Sequence, residues 1–325
     1  MKQDLKLASN LSPFSKLVDR FVPNGYSRDY DLNKQLAMLA AVDGIPGAAL
    51  GWPCDAFKNG AEIRRSLAEH GLVCCTLEPD IYTDARFRHG SLTNPDPKIR
   101  RESIDRAKST LDAAEEAGAS DINFWMAHDG WEYFFQSHYA DAWKWLVEGL
   151  AEIAEHNPRM RVSLEPKCKE PRVNNYVANT GTALFLVNKI GKPNLGITLD
   201  FGHSIAALES PAEAAVRAII EGRLNQVHLN DNYRDWDHDL IPGAVNVWDT
   251  IEFFYWVRKA GYAGWYSIDI FPYRDDGTEV LQRTVQICRK CCRVADKLIE
   301  MNVESLIREG KHVETLGRLW GMVGD

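Results

Sequence analysis

Four side chains that can bind metal occupy one repeated setting in the second half of the chain. The triplets are Ser163-Leu164-Glu165, Thr198-Leu199-Asp200, Gln226-Val227-His228 and Ser267-Ile268-Asp269. Each reads polar, then branched apolar, then Glu, Asp or His. Side chains alternate along a strand, so the first and third residues share a face and the apolar one takes the other. One such triplet reads as a helix cap or a solvated strand end. Four in succession, in one register, point to a shared centre. Three carboxylates and an imidazole turned to one place repel and lose solvation unless a cation sits among them.

A second set lies beside the first. Asp200 begins "DFGH", which puts His203 just past its strand, and "HLNDNYRDWDHDL" carries Asp237 and Asp239 as a D-x-D pair. Asp200 is placed to bridge two ions, with His203, Asp237 and Asp239 completing the second. Lys167 follows Glu165 by two residues and shares its side. The five carboxylates Glu165, Asp200, Asp237, Asp239 and Asp269 carry five negative charges, and two divalent cations with Lys167 supply five positive ones. Mixed carboxylate and imidazole ligands suit Mn²⁺ first, with Mg²⁺ or Co²⁺ as alternatives, and the lack of thiolates argues against structural zinc. Asp231, Asp235 and His238 read as loop or supporting residues.

The elements that must position these residues alternate along the chain. Strands are expected at 5–11, 47–52, 72–79, 121–127, 161–166, 195–200, 225–230 and 265–271. Helices are expected at 33–42, 61–70, 98–117, 138–155, 179–190, 210–222, 247–260 and 279–298, with caps such as Asp31 and Ser210-Pro211. The candidate ligands are 200−165 = 35, 228−200 = 28 and 269−228 = 41 residues apart. A barrel of ~250 residues in eight units averages about 31 per unit, so these are single-unit steps. The expected fold is an α/β (β/α)8 TIM barrel over residues 1–298. Residues 299–325 are expected to form a short helical extension on the barrel or on a partner subunit. In this fold the strand C-termini form the mouth where chemistry sits. An open doubly wound sheet is the runner-up, but no GxGxxG or Walker loop follows any strand.

Composition narrows the classes. The 325 residues are 45% hydrophobic and 26% charged, as in a globular α/β protein. A net charge of −8 leaves no basic footprint for nucleic acid. No apolar run is long enough for a membrane span, and "MKQDLKLASN" does not read as a signal peptide. The seven cysteines are expected to be reduced thiols in the cytoplasm. Cys288, Cys291 and Cys292 are spaced as one buried helix face and lack a second CxxC pair.

At this point the residues resemble a family. "EPKCKEP" resembles the E-P-K-x-x-E-P signature of xylose isomerase, "GRLNQVHLNDNYRDWDHDL" its segment ending in D-x-D-L, and "KAGYAGWYSIDIFP" its last strand. Xylose isomerases have Glu in place of Asp200 and Asp in place of His228; both departures match the L-rhamnose isomerase branch. The resemblance implies a two-metal aldose–ketose isomerase acting by a metal-assisted 1,2-hydride shift. Glu165, Asp200, His228 and Asp269 would hold the substrate-binding ion. His203, Asp237 and Asp239 would hold the ion that assists hydrogen transfer, and Lys167 would stand near the carbonyl oxygen. It also implies a homodimer or homotetramer.

The family's ring-opening histidine is missing: the second strand ends "GWPCD". Trp52, His128 and Trp131 are expected to line the sugar pocket, with a packed Trp131 as the alternative. Glu78 ends the third strand, with nothing joining it to the ligand set. The acidic loops after strands seven and eight suit an unphosphorylated sugar. Three rivals share the expected barrel or its metal chemistry. A ketose 3-epimerase needs one metal and a pair of glutamates, whereas the last ligand here is Asp269. An endonuclease of abasic DNA needs more histidines and a basic surface. A non-enzymatic sugar or metal-binding module would show no metal-dependent turnover.

Overall fold

The computed structural model describes residues 4–322. Eight parallel strands close a barrel: β1 (Leu7–Ser9), β2 (Gly47–Trp52), β3 (Val73–Pro79), β4 (Asp121–Trp125), β5 (Arg161–Glu165), β6 (Leu195–Asp200), β7 (Leu224–Leu229) and β8 (Tyr266–Ile268). β1 pairs with both β2 and β8, which closes the ring. Outside it run α1 (Leu32–Ala40), α2 (Gly60–Glu69), α3 (Pro97–Ala117), α4 (Tyr139–His156) and α5 (Thr180–Ile190). They are followed by α6 (Phe201–Ala206), α7 (Pro211–Ile220), α8 (Val247–Lys259) and α9 (Gly277–Glu300). This is the expected (β/α)8 barrel. The short helix α6 was not expected; it begins directly at Asp200, whose carboxylate accepts from the backbone N–H of His203 at 2.7 Å. The expected caps form as well. Asp31 accepts from Lys34 N–H at 2.8 Å, and Ser210 caps α7 with Pro211 in its first turn.

Strand pairing sets which side chains point inward. Trp125 lies beside Glu165, Asp200 beside His228, and Gly51 beside Glu78. The alternate residues Leu77, Ile122, Leu164, Leu199, Val227 and Ile268 are fully buried in the apolar layer between strands and helices. β1 and β8 are shorter than expected. Beyond them Asn10 and Asp269 leave the ladder, and the Asn10 amide donates to the Asp269 carboxylate.

Loops at the mouth are tied by a small antiparallel sheet in which Val173–Asn175 pairs with both Gly130–Trp131 and Lys169–Glu170. Gly130 has no substitute there, since a Cβ would lie 2.1 Å from the Asn174 carbonyl oxygen. This sheet steadies the loop that carries Lys167. Cys288, Cys291 and Cys292 are buried along α9, and burial pushes the Cys291 thiol up to about 11, so it packs as an apolar group. Residues 299–322 hold two helices rather than one, α10 (Val303–Arg308) and α11 (His312–Trp320). α11 brings Trp320 to 5.5 Å from Trp248 of α8. Residues 323–325 of the expected extension lie outside the described residues. No helix among the described residues is long and apolar enough to cross a membrane.

Candidate active site

Glu165, Asp200, His228 and Asp269 converge at the C-terminal mouth, where one ligand atom from each lies within 4.8 Å of all the others. Glu165, Asp200 and His228 are at most 5% exposed. His228 Nδ1 stands 3.2 Å from Glu165 Oε1, 3.7 Å from Asp269 Oδ2 and 4.0 Å from Asp200 Oδ2. Its other nitrogen faces the Gln226 side-chain amide at 3.1 Å.

Each carboxylate of this group is held by an asparagine. Asn123 donates to Glu165 Oε2 at 2.6 Å, Asn230 to Asp200 Oδ2 at 3.0 Å, and Asn10 to Asp269 Oδ1. Such supporting bonds orient metal ligands and are usually required for affinity. Asn230 also accepts from Gly202 N–H at 2.7 Å, which locks α6 to β7.

The second set is assembled only in part. His203 Nδ1 faces the Pro166 carbonyl at 3.1 Å, and its Nε2 lies 3.1 Å from Asp237 Oδ2. Asp239 lines the same cavity with a backbone φ of 49°, a strained conformation for a non-glycine residue. Among the described residues, only the first four side chains form one compact ligand group. The reason is charge. Asp237 Oδ2 pairs with both His203 and Lys167, the latter at 2.8 Å, rather than turning to Asp239. Asp237 Oδ1 is left buried without a hydrogen-bond partner. Lys167 also pairs with Glu170, which the sequence charge count omitted, and its ammonium lies 5.1 Å from the Trp125 ring centre.

The residues present fit a divalent cation. Burial, with Glu165 and Asp237 nearby, pushes the Asp200 carboxyl up to about 7. Burial, with Glu165 and Asp237 again, raises Asp269; burial, with Asp237 and Asp269, raises Asp239 well above the carboxylate range. Burial works against the charged forms of both histidines, yet the carboxylates prevail and hold His203 and His228 up to about 10. Those imidazolium charges outweigh burial at Glu165 and bring it down to about 2. Protons thus stand in the site where a cation would otherwise balance the acids. Binding a cation must displace them. Cation affinity is therefore expected to rise with pH, by about tenfold per unit for each proton displaced, from pH 6 toward the histidine value near 10. Calorimetry with Mn²⁺ in two buffers of different ionisation enthalpy measures the protons released. Affinity that does not change between pH 6 and 9 would contradict this electrostatic picture.

Three residues expected at the sugar pocket are elsewhere. Trp52 points outward: it follows the inward Gly51 by one residue, and its indole N–H donates to Ser109 of α3 at 3.1 Å. Trp131 packs against Tyr139 and Tyr176, with ring centres 5.2 Å apart in both pairs. His128 bonds the Tyr82 carbonyl at 3.1 Å and, with Trp131, lines a separate surface pocket. The aromatics lining the mouth are instead Trp125, the last inward residue of β4, with Tyr82 beside it, and Phe57, Phe271 and Tyr273. Glu78 also lines the mouth and is joined to the ligand group, because the Asn123 Nδ2 that serves Glu165 also donates to Glu78 Oε1 at 3.2 Å. Asn10, Asn123 and Asn230 escaped sequence reasoning too. The signal was present in the alternation, since each lies two residues from another inward position.

A closed eight-stranded barrel with a carboxylate–histidine group at its mouth defines a TIM-barrel protein with a candidate metal centre. The chain belongs to the xylose isomerase-like TIM barrel family, which matches residues 40–316. The xylose isomerase of Thermus thermophilus is 27% identical over 222 residues, 66% of this chain. The same protein of Thermus caldophilus is equally similar. The chain spans 57% of the length of each. Among solved structures, an L-ribulose 3-epimerase superposes with a TM-score of 0.70 at 14% identity, over 92% of this chain and 98% of that one. A D-tagatose 3-epimerase-like protein gives 0.65 at 17%, over 88% and 99%. At these identities the structural likeness speaks to fold alone.

Proposed function

We propose that the protein is a metal-dependent aldose–ketose isomerase acting on an unphosphorylated sugar, with the hydrogen passing directly between C1 and C2. The observation that carries this reading is Lys167. Its ammonium is buried between Asp237 and Glu170, over Trp125, in the cavity also lined by Glu165 and Asp269. Burial opposes the charge, but Asp237, Glu170 and Asp239 raise Lys167 well above the usual lysine range. It is a permanent hydrogen-bond donor and not a base.

The cavity is about 730 Å³, ample for a monosaccharide. Its basic lining side chains, Lys167 and His203, are both paired to acids, which favours an uncharged sugar over a phosphate ester. Divalent cations held by Glu165, Asp200, His228 and Asp269, and by His203, Asp237 and Asp239, would supply positive charge opposite the two substrate oxygens. Mn²⁺ is the proposed cation, with Mg²⁺ or Co²⁺ as substitutes. Lys167 donates to the carbonyl oxygen and stabilises negative charge as it develops there. Trp125 presents an apolar face that keeps water from the moving hydrogen. Asn10, Asn123 and Asn230 hold three ligand carboxylates in one orientation, so little reorganisation accompanies turnover.

The second reading is a ketose 3-epimerase, which exchanges a carbon-bound proton. The observation on its side is Glu78, an inward acid outside the ligand group. Turnover of a sugar panel in deuterated water with Mn²⁺, followed by NMR, separates the two. Retention of the original hydrogen at C1 of the product is expected. Extensive deuterium at carbon would favour proton transfer through an enediol, remove the direct transfer and move the protein toward the epimerase.

A further inference from the structure

We propose that Glu78 is a catalytic residue that opens the sugar ring, its free oxygen taking the proton from the anomeric hydroxyl. This rests on the aldose–ketose reading above. Aldopentoses and aldohexoses in water are mostly cyclic hemiacetals, whereas hydrogen transfer between C1 and C2 needs a free carbonyl. A group at the mouth must therefore act on the closed ring before the chemistry assigned to Lys167 can begin.

Several observations select Glu78. It is the last inward acid of β3 and lines the cavity. Oε1 is anchored by Asn123, while Oε2 makes no hydrogen bond to the described residues. The inward position beside it on β2 is Gly51, where an added Cβ would meet nothing within 4 Å. A bay thus opens beside Glu78. The shared Asn123 amide, 3.2 Å from Glu78 and 2.6 Å from Glu165, places that bay one side chain away from the ligand group. An anomeric carbon released there lies next to the site of hydrogen transfer.

The other acids of the cavity outside the ligand sets are paired or lie in solvent. Asp80 holds its own turn through Thr83, and Glu170 pairs with Lys167. Asp55 is exposed to solvent. Burial, with Glu165 of β5 and Asp269 beyond β8, pushes Glu78 up to about 7, while His228 of β7 and the Asn123 bond pull against that rise.

The step balances without a redox partner. Oε2 takes the anomeric O–H proton, and the electron pair of that bond becomes the second bond of the C1 carbonyl. The bond from C1 to the ring oxygen breaks with its pair on the ring oxygen, which takes a proton from water. The hydroxide left behind recovers a proton from the Glu78 carboxyl. The net change is cyclic hemiacetal to open hydroxy-aldehyde.

The test compares the parent, Glu78→Gln and Glu78→Asp, each loaded with Mn²⁺ and checked for metal content. Gln keeps an oxygen for Asn123 but cannot take the proton. One readout is mutarotation of freshly dissolved α-D-xylose and α-L-rhamnose, followed by polarimetry. The other is the ratio of turnover on those cyclic sugars to turnover on D-glyceraldehyde, which cannot close a ring of this kind. The parent is expected to accelerate mutarotation and Glu78→Gln is not. The turnover ratio of Glu78→Gln should fall roughly 10²-fold, the usual contribution of a positioned acid–base group. Glu78→Asp should recover part of the loss. Equal loss on cyclic and acyclic substrates would make Glu78 a base at carbon and overturn the proposal. Parent-like mutarotation and ratio in Glu78→Gln would overturn it and leave the isomerase reading standing. A parent that isomerises none of these sugars would count against that reading. In that case mutarotation alone decides for or against Glu78.

Discussion

Stripping divalent cations with a chelator is expected to abolish turnover and to lower the melting temperature by several degrees. A ligand present at a hundred times its dissociation constant stabilises the folded state by about 2.7 kcal/mol, and that contribution disappears with the ion. The stripped protein should still fold at neutral pH, because His203 and His228, held up to about 10, carry protons that partly offset the buried acids. Their folded values exceed the ordinary histidine value of 6.5, so this offset is fully present below about pH 6.5. It is lost as pH rises toward 10. Asp200, raised to about 7, acts in the same direction at lower pH: its contribution fades between about pH 4 and 7. The gap in melting temperature between metal-loaded and stripped protein should therefore widen from pH 6 to pH 9. Mn²⁺ or Co²⁺ should restore both activity and stability. Full turnover by protein shown to be metal-free by elemental analysis would end the metal-dependent reading.

The second large effect separates the two ligand sets. Asp237→Asn removes the charge that pairs with both Lys167 and His203. On the proposed reading kcat should fall roughly 10²- to 10³-fold, the usual cost of losing a group that stabilises developing charge, with KM close to that of the parent. His228→Ala removes the only imidazole from the compact group and leaves Glu165, Asp200 and Asp269 facing one another. Metal affinity should drop by at least 10- to 100-fold, by comparison with the loss of supporting bonds alone, and apparent KM should rise with it. Metal titration with steady-state kinetics on both variants checks this. Parent-like behaviour of both variants would show that the ligand assignment is wrong.

Much of this architecture was legible in the order of residues. Eight apolar runs alternating with eight amphipathic ones require parallel βαβ units, and the two-residue period of a strand put Glu165, Asp200, His228 and Asp269 on one face. Local chemistry was equally readable at helix starts, where Asp31 and Ser210 cap as their side chains dictate. These features depend on neighbours in the chain, and short-range geometry is determined by the backbone itself.

Contacts between distant segments were decided only by the tertiary structure. Trp52, at the end of the second strand, was expected to line the sugar pocket. The register of β2 places Gly51 inward and turns Trp52 toward Ser109 of α3. Glu78 looked isolated along the chain, yet closure of the barrel brings β3, β4 and β5 side by side, and one asparagine amide then reaches both Glu78 and Glu165. The charge balance around Lys167 likewise depended on where Glu170 folds back, which is set by the small sheet at the mouth. Residue types and strand period determined the acids that face the axis. Which of them carries a proton, pairs with a lysine or meets a cation depends on distances and burial, and those arise only when the ring of strands closes.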